Sequence, residues 1–136
     1  KKLPNNIKLR INNFNSLKSF FSKYPNLFSL PNEQKGLKTP WLAYPVILKK
    51  QSRINRQKLQ IFLEKRGIQT RTIFTGNILR QPIMKRRYYK KVKDAEINSN
   101  DIMKHGMLIG CHHGLKSKDL NYIKNNFMKF IRLNFK

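Results

Sequence analysis

Acidic side chains are what this sequence has least of. Six carboxylates (Glu33, Glu64, Asp94, Glu96, Asp101 and Asp119) stand against thirty Lys and Arg, for a net charge of +24. Most of the six are expected on loops or helix surfaces. Paired acids for proton transfer, and oxygen-rich cages for hard cations, are therefore scarce. One cysteine, Cys111, excludes an internal disulfide and fits a reduced, cytosolic setting. No apolar run approaches the ~20 residues that cross a bilayer, so no membrane partner is expected. The start, Lys1-Lys2-Leu3-Pro4, has no apolar h-region and does not read as a secretory signal. The phosphate-cradling patterns G-x-x-x-x-G-K-[ST] and G-x-G-x-x-G are missing. So is the nucleophile pattern G-x-S-x-G.

What is present suits one folded domain: 136 residues, 39% of them hydrophobic. The charge suggests a polyanion partner such as nucleic acid. Yet the lysines are scattered. Lys18, Lys23, Lys58, Lys65, Lys124 and Lys129 fall on the polar sides of expected helices, where solvation alone accounts for them. The one concentration is Arg86-Arg87-Tyr88-Tyr89-Lys90-Lys91, where tyrosines between cations suit base stacking.

Hydrophobic periodicity predicts a helix over 5–24, with Ile7, Ile11, Phe14, Leu17 and Phe21 on one face and Pro25 as its stop. A loop over 26–40 leads to a strand, Trp41–Leu48, apolar on both alternating faces as if covered on both sides, though Pro45 removes a ladder donor. Asn55 is placed to cap a helix over Arg56–Arg66, with Leu59, Phe62 and Leu63 inward and Gly67 as its stop. Ile68–Phe74 reads as a strand. Residues 83–98 read as irregular, and Ser99 or Asn100 as the cap of a short helix over Asp101–His105. Met107–Cys111 reads as a strand. Ser117 is expected to cap a final helix facing inward through Leu120, Ile123, Phe127, Phe130 and Ile131. This order predicts an α+β layer of helices on a small sheet.

Cys111, His112 and His113 invite a metal reading. Strand alternation puts only Cys111 and His113 on one face, and two ligands do not make a zinc site. A packed turn is expected instead, with no metal. The stretch "GIQTRTIFTGNILRQP", residues 67–82, carries more. Gly76-Asn77 allows a turn with positive φ where a ligand can approach the backbone. Arg71 and Arg80 offer bidentate donors, and Asn77 and Gln81 neutral ones. On the residues alone, a strand end with a capped turn and two surface arginines is the plainer account.

This stretch closely resembles the segment after the C-terminal-domain helix in pyridoxal-phosphate-type nucleotide-sugar 3-dehydrases. These belong to the DegT/DnrJ/EryC1/StrS aminotransferase family. The resemblance also covers "RINNFNSL" (10–17), similar to the family's closing long helix, and "PWLAYPVIL" (40–48), similar to its tryptophan-containing strand. It continues through "INRQKLQIFLEKRGIQTR" (54–71) and "SNDIMKHGMLIGCHHGLKSKDLNYI" (99–123). Around Trp41 the residues Pro40, Leu42, Ala43 and Tyr44 depart from the usual pattern, and Thr75 stands where alanine is usual.

The resemblance implies the small C-terminal domain of the aspartate-aminotransferase (type I) fold. Residues 1–24 would then end the long helix arriving from a large domain, and 25–136 would form the small domain. It implies loss of the C3 hydroxyl from a 4-keto-6-deoxy sugar nucleotide, in deoxysugar and lipopolysaccharide O-antigen biosynthesis. Pyridoxal or pyridoxamine phosphate would serve as electron sink. The cofactor lysine, or the histidine that replaces it, would lie upstream, leaving no catalytic residue in this chain and no covalently held cofactor. It implies a homodimer, an iron–sulfur reductase partner, and substrate contacts from Arg71, Phe74, Gly76, Asn77, Arg80 and Gln81. The alternatives are a nucleotide-sugar aminotransferase of the same family, a basic nucleic-acid-binding module, or an inert relic.

Overall fold

The computed structural model describes residues 2–37, 39–74, 76–90, 92 and 94–134. Lys1, Thr75 and Lys91, named above, lie outside them. The elements run α1 (Leu3–Phe21), β1 (Phe28–Ser29), β2 (Ala43–Leu48), α2 (Arg56–Glu64), β3 (Thr70–Thr72), α3 (Glu96–His105), β4 (Gly106–Gly110) and α4 (Ser117–Asn134). Single 3-10 turns occur at Lys50–Ser52, Ile78–Arg80 and Pro82–Arg86. The sheet order is β1-β2-β4-β3, with every neighbour antiparallel.

The inward stripes expected of α1, α2 and α4 meet on one face of this sheet. Phe14, Leu17, Phe20 and Phe21 of α1, Leu59 and Leu63 of α2, and Leu120, Ile123, Phe127 and Phe130 of α4 form one buried cluster. Tyr44, Val46 and Leu48 of β2 join it with Met107 and Ile109 of β4. The centre is aromatic. Phe21 stacks on Tyr44 with centroids 5.1 Å apart and meets Phe127 edge-on at 5.0 Å. Trp41 lies flat on Phe14 at 4.5 Å. Each such pair adds roughly 0.5–1.5 kcal/mol beyond the area it buries.

Asn55 caps α2 as expected, its side chain accepting from the Lys58 N–H at 2.9 Å. Several expectations need correction. α1 ends at Phe21, because the residue before a proline disfavours helix and the chain turns over Phe21–Tyr24 instead. The loop expected at 26–40 contains β1, which pairs Phe28 with Leu48 and Ser29 with Ile47. β2 begins at Ala43 and is fully covered on one face only: Tyr44, Val46 and Leu48 are buried, whereas Ala43, Pro45 and Ile47 are half-buried. Because β1 stops opposite Ile47, Pro45 has a strand beside it only on the β4 side.

α2 stops at Glu64, ahead of the expected Arg66, as Gly67 at φ 71° turns the chain. β3 is reduced to Thr70–Thr72, since Phe74 at φ 48° breaks the extended chain. The region expected to be irregular holds a 3-10 turn and the start of α3. That helix begins at Glu96, so neither Ser99 nor Asn100 is its cap. β4 spans Gly106–Gly110, leaving Cys111 just beyond it. Ser117 is the first residue inside α4. Its entry is held by Asp119, whose carboxylate accepts from the Lys116 N–H at 2.8 Å.

Gly76 has φ 73°, and a Cβ there would overlap the Cβ and Cα of Met103. Gly67 has a similar φ, 71°, with nothing within 4 Å of an added Cβ. Gly67→Ala should therefore lose about 1 kcal/mol from backbone strain alone. Gly76→Ala should lose about 2–3 kcal/mol, because α3 must also move. Urea unfolding followed by Trp41 fluorescence checks this, and equal losses would mean Met103 yields freely.

Candidate functional site

β3 delivers the chain to the edge of the sheet, and a tight turn follows. The Gly76 N–H donates to the Ile73 carbonyl at 3.0 Å, and the Thr72 hydroxyl to the Phe74 carbonyl at 3.0 Å. Phe74 is pushed outward and is 89% exposed. Asn77 starts the next 3-10 turn. Its Oδ1 accepts from the Leu79 N–H at 2.9 Å, while its Nδ2 donates to Asn100 Oδ1 at 3.0 Å. Arg80 donates through Nε to the same Asn100 oxygen at 3.2 Å. Gln81, half-buried, leads into the turn at Pro82–Arg86.

A cleft of about 340 Å³ opens between this turn and α3. Phe74, Gly76 and Gln81 line it together with Arg56, Ile102 and Met103. The structure thus brings three of the six expected residues onto one wall. The other three are divided. Arg71 is exposed on β3, paired in register with Leu108. Asn77 is 2% exposed and lies behind the turn with both ends of its amide engaged. Arg80 is exposed beside the cleft.

Two residues of this site were not singled out by the sequence. Arg56 opens α2 and reaches the cleft, with Nε donating to the Lys104 carbonyl at 3.2 Å and Nη1 to Gln60 Oε1. Its contact with Lys104 is tertiary, so no local pattern marks it. Asn100 reads as a helix cap in the sequence but is the shared acceptor of Asn77 and Arg80. Arginine, threonine and glutamine do not change protonation near neutrality. Among the described residues the cleft wall has no carboxylate, histidine, lysine or cysteine. It can bind and orient a polar or anionic ligand against an apolar floor.

The remaining candidates lie elsewhere. Cys111 is fully buried, its thiol pushed up to about 11 by burial, with Sγ 3.5 Å from the Trp41 carbonyl. His112 and His113 are exposed beyond the end of β4, so strand alternation does not apply to them, and His112 Nδ1 accepts from the Gly114 N–H at 3.2 Å. Among the described residues no three His, Cys, Asp or Glu are placed to hold a metal ion. Nor does any helix among them have the length and apolarity to cross a membrane. Every described lysine is at least partly exposed, so none offers the buried amine that a covalent aldehyde cofactor uses. The residues present do not fit a cofactor anchor. In the basic run, Arg86, Arg87, Tyr88, Tyr89 and Lys90 are all exposed.

Known proteins resemble this arrangement along nearly the whole chain. The chain is 33% identical over 123 residues to lipopolysaccharide biosynthesis protein RfbH of Salmonella typhimurium, covering 90% of this chain and 28% of that protein. It is 30% identical over 129 residues to GDP-4-keto-6-deoxy-D-mannose 3-dehydratase of Yersinia pseudotuberculosis, covering 95% and 32%. Its fold overlays the solved structure of the E. coli GDP-4-keto-6-deoxy-D-mannose-3-dehydratase with bound hydrated PLP. That overlay has a TM-score of 0.81 and 25% identity, and covers 92% of this chain and 31% of that one. The chain therefore spans about a third of the length of the relatives it matches. Its small antiparallel sheet and four helices have the fold of the matching part of a PLP-dependent aminotransferase-fold enzyme. A family profile described as the DegT/DnrJ/EryC1/StrS aminotransferase family matches residues 1–128, which include β1 to β4, and this chain belongs to that family.

Proposed function

We propose that this chain is the C-terminal, small-domain portion of a nucleotide-sugar 3-dehydratase in deoxysugar and lipopolysaccharide biosynthesis. Residues 1–24 would close the long helix from a large domain, and segment 71–81 would face the sugar nucleotide. The observation that carries this reading is the 30% identity, over 95% of the chain, to a protein named as such a dehydratase. The geometry agrees in kind. The cleft wall offers guanidinium and amide donors, an exposed aromatic and, among the described residues, no carboxylate, histidine, lysine or cysteine, as suits a domain that positions substrate for chemistry supplied elsewhere. When bound, pyridoxal or pyridoxamine phosphate supplies the electron sink, and the base and the cofactor anchor belong to residues outside this chain. A homodimer, and a reductase partner carrying an iron–sulfur cluster, belong to the same proposal.

Within it, Arg71 and Asn77 have different tasks. Arg71 projects from a strand edge into solvent and contributes little to packing, so its value lies in a ligand contact. Asn77 is buried and bonded at both ends, so its first task is to hold the turn.

Two outcomes follow. Incubated with pyridoxal phosphate and borohydride, this chain should give no single stoichiometric lysine adduct by mass spectrometry; one site-specific adduct would overturn the division of labour. In the full-length enzyme carrying this chain, Arg71→Ala should lower kcat/KM by on the order of 30-fold, about 2 kcal/mol, the scale of a charge-assisted hydrogen bond. Its melting temperature should stay unchanged, whereas Asn77→Ala should lower that temperature measurably. Full turnover in both variants would remove this segment from the substrate site.

A further inference from the structure

We infer that Asn100 is a positioning residue that aims Arg80 at the substrate, an inference that rests on the reading of segment 71–81 as substrate-facing. A carbonyl oxygen has two lone pairs. Asn100 Oδ1 accepts two hydrogen bonds, from Asn77 Nδ2 at 3.0 Å and Arg80 Nε at 3.2 Å. The first is on the buried side of the turn and the second at its exposed rim. An exposed arginine otherwise samples many rotamers, and a bond at Nε fixes the plane of the whole guanidinium. The backbone is fixed as well, because the Arg80 N–H closes the 3-10 turn on the Asn77 carbonyl at 3.1 Å.

Met103, three residues along α3 and so on the same face, closes over Gly76. One face of α3 thus holds the turn at both ends, by contact at Gly76 and by hydrogen bonds at Asn77 and Arg80. The identity of the acceptor matters. A carboxylate at position 100 would hold the guanidinium equally well but would cancel its charge. A neutral amide fixes the orientation and leaves the full positive charge for an anionic or strongly polar ligand.

The test is a double-mutant cycle in the full-length enzyme carrying this chain, assayed with the sugar nucleotide GDP-4-keto-6-deoxy-D-mannose. Arg80→Ala and Asn100→Ala should each raise KM about tenfold with kcat changed less than twofold. The double variant should be no worse than either single one, since both remove the same contact. Multiplying KM effects would overturn the positioning role, as would an unchanged KM in Asn100→Ala. Should Asn100→Ala not fold, Asn100→Asp decides. It keeps both acceptor bonds and should keep the melting temperature, yet raise KM by neutralising Arg80; a wild-type KM there would make Asn100 merely structural. Independently of turnover, the Arg80 Nε–H should exchange slowly by NMR and become fast in an Asn100→Ala variant that folds. If Arg80→Ala itself leaves KM unchanged, the substrate-facing reading of Arg80 falls together with the inference. If Arg80→Ala raises KM and Asn100→Ala does not, only the inference falls.

Discussion

The placement of β4 between β2 and β3 is the constraint from which the site derives. Met107 and Ile109 of β4 are 0% and 1% exposed, so the apolar face of this strand has one direction available. Antiparallel register then pairs Leu108 with Pro45 on one side and with Arg71 on the other. A slip of one residue would turn Met107 and Ile109 outward and Arg71 into the core. Burial of two apolar side chains therefore decides that Thr70 is inside and Arg71 outside. α3 runs straight into β4, with His105 followed at once by Gly106. Seating the strand also seats α3, and α3 holds the turn that builds the cleft.

That dependence explains which parts of the fold were legible in the sequence. The stripes of α1, α2 and α4 are read from spacing because each helix buries one face against a common core. α3 has no such stripe: none of its residues is buried, and Ile97 is exposed. Its first turns read as irregular chain because its partners are the residues around Gly76 and Asn77 and the open side of the sheet. β1, two residues long, has no periodicity to detect, and it exists because β2 offers it an edge. The truncation of β3 comes from the positive φ of Phe74, a conformation that phenylalanine rarely adopts and that no local pattern announces.

The site was legible by residue type but not by position. Arginine, asparagine and glutamine around a glycine turn read as donors for a ligand, and the six expected site residues run from Arg71 in β3 to Gln81, just before the 3-10 turn at Pro82–Arg86. Their separation into cleft wall, buried support and exposed rim depends on Asn100, 23 residues beyond Asn77, and on Met103 of the same helix. Asn77 shows the difficulty. The same amide that could meet a sugar hydroxyl is buried and engaged at both ends, by Leu79 and Asn100. Arg56 shows the converse: Asn55 marks the start of its helix in the sequence, but its guanidinium is aimed by the distant Lys104 carbonyl.

The charge distribution bears on the same segment. Among the described residues two ion pairs are formed, Lys18 with Glu33 and Lys50 with Asp101, both at the surface. Such pairs contribute little, and because each joins one cation to one anion the net charge of +24 is untouched by them. From Glu64 to Asp94 the sequence contains no carboxylate, while Arg71, Arg80, Lys85, Arg86, Arg87 and Lys90 are all exposed there. Like charges so close together repel, and folding alone gives no reason to collect them on one segment. A ligand that brings its own negative charge reverses the balance, because each cation then adds to a field that draws the ligand in. The turn, its neutral asparagine acceptor and the acid-free stretch around it are consistent with one electrostatic arrangement, in which Arg80 is oriented by a neutral hydrogen-bond acceptor within a run of exposed cations.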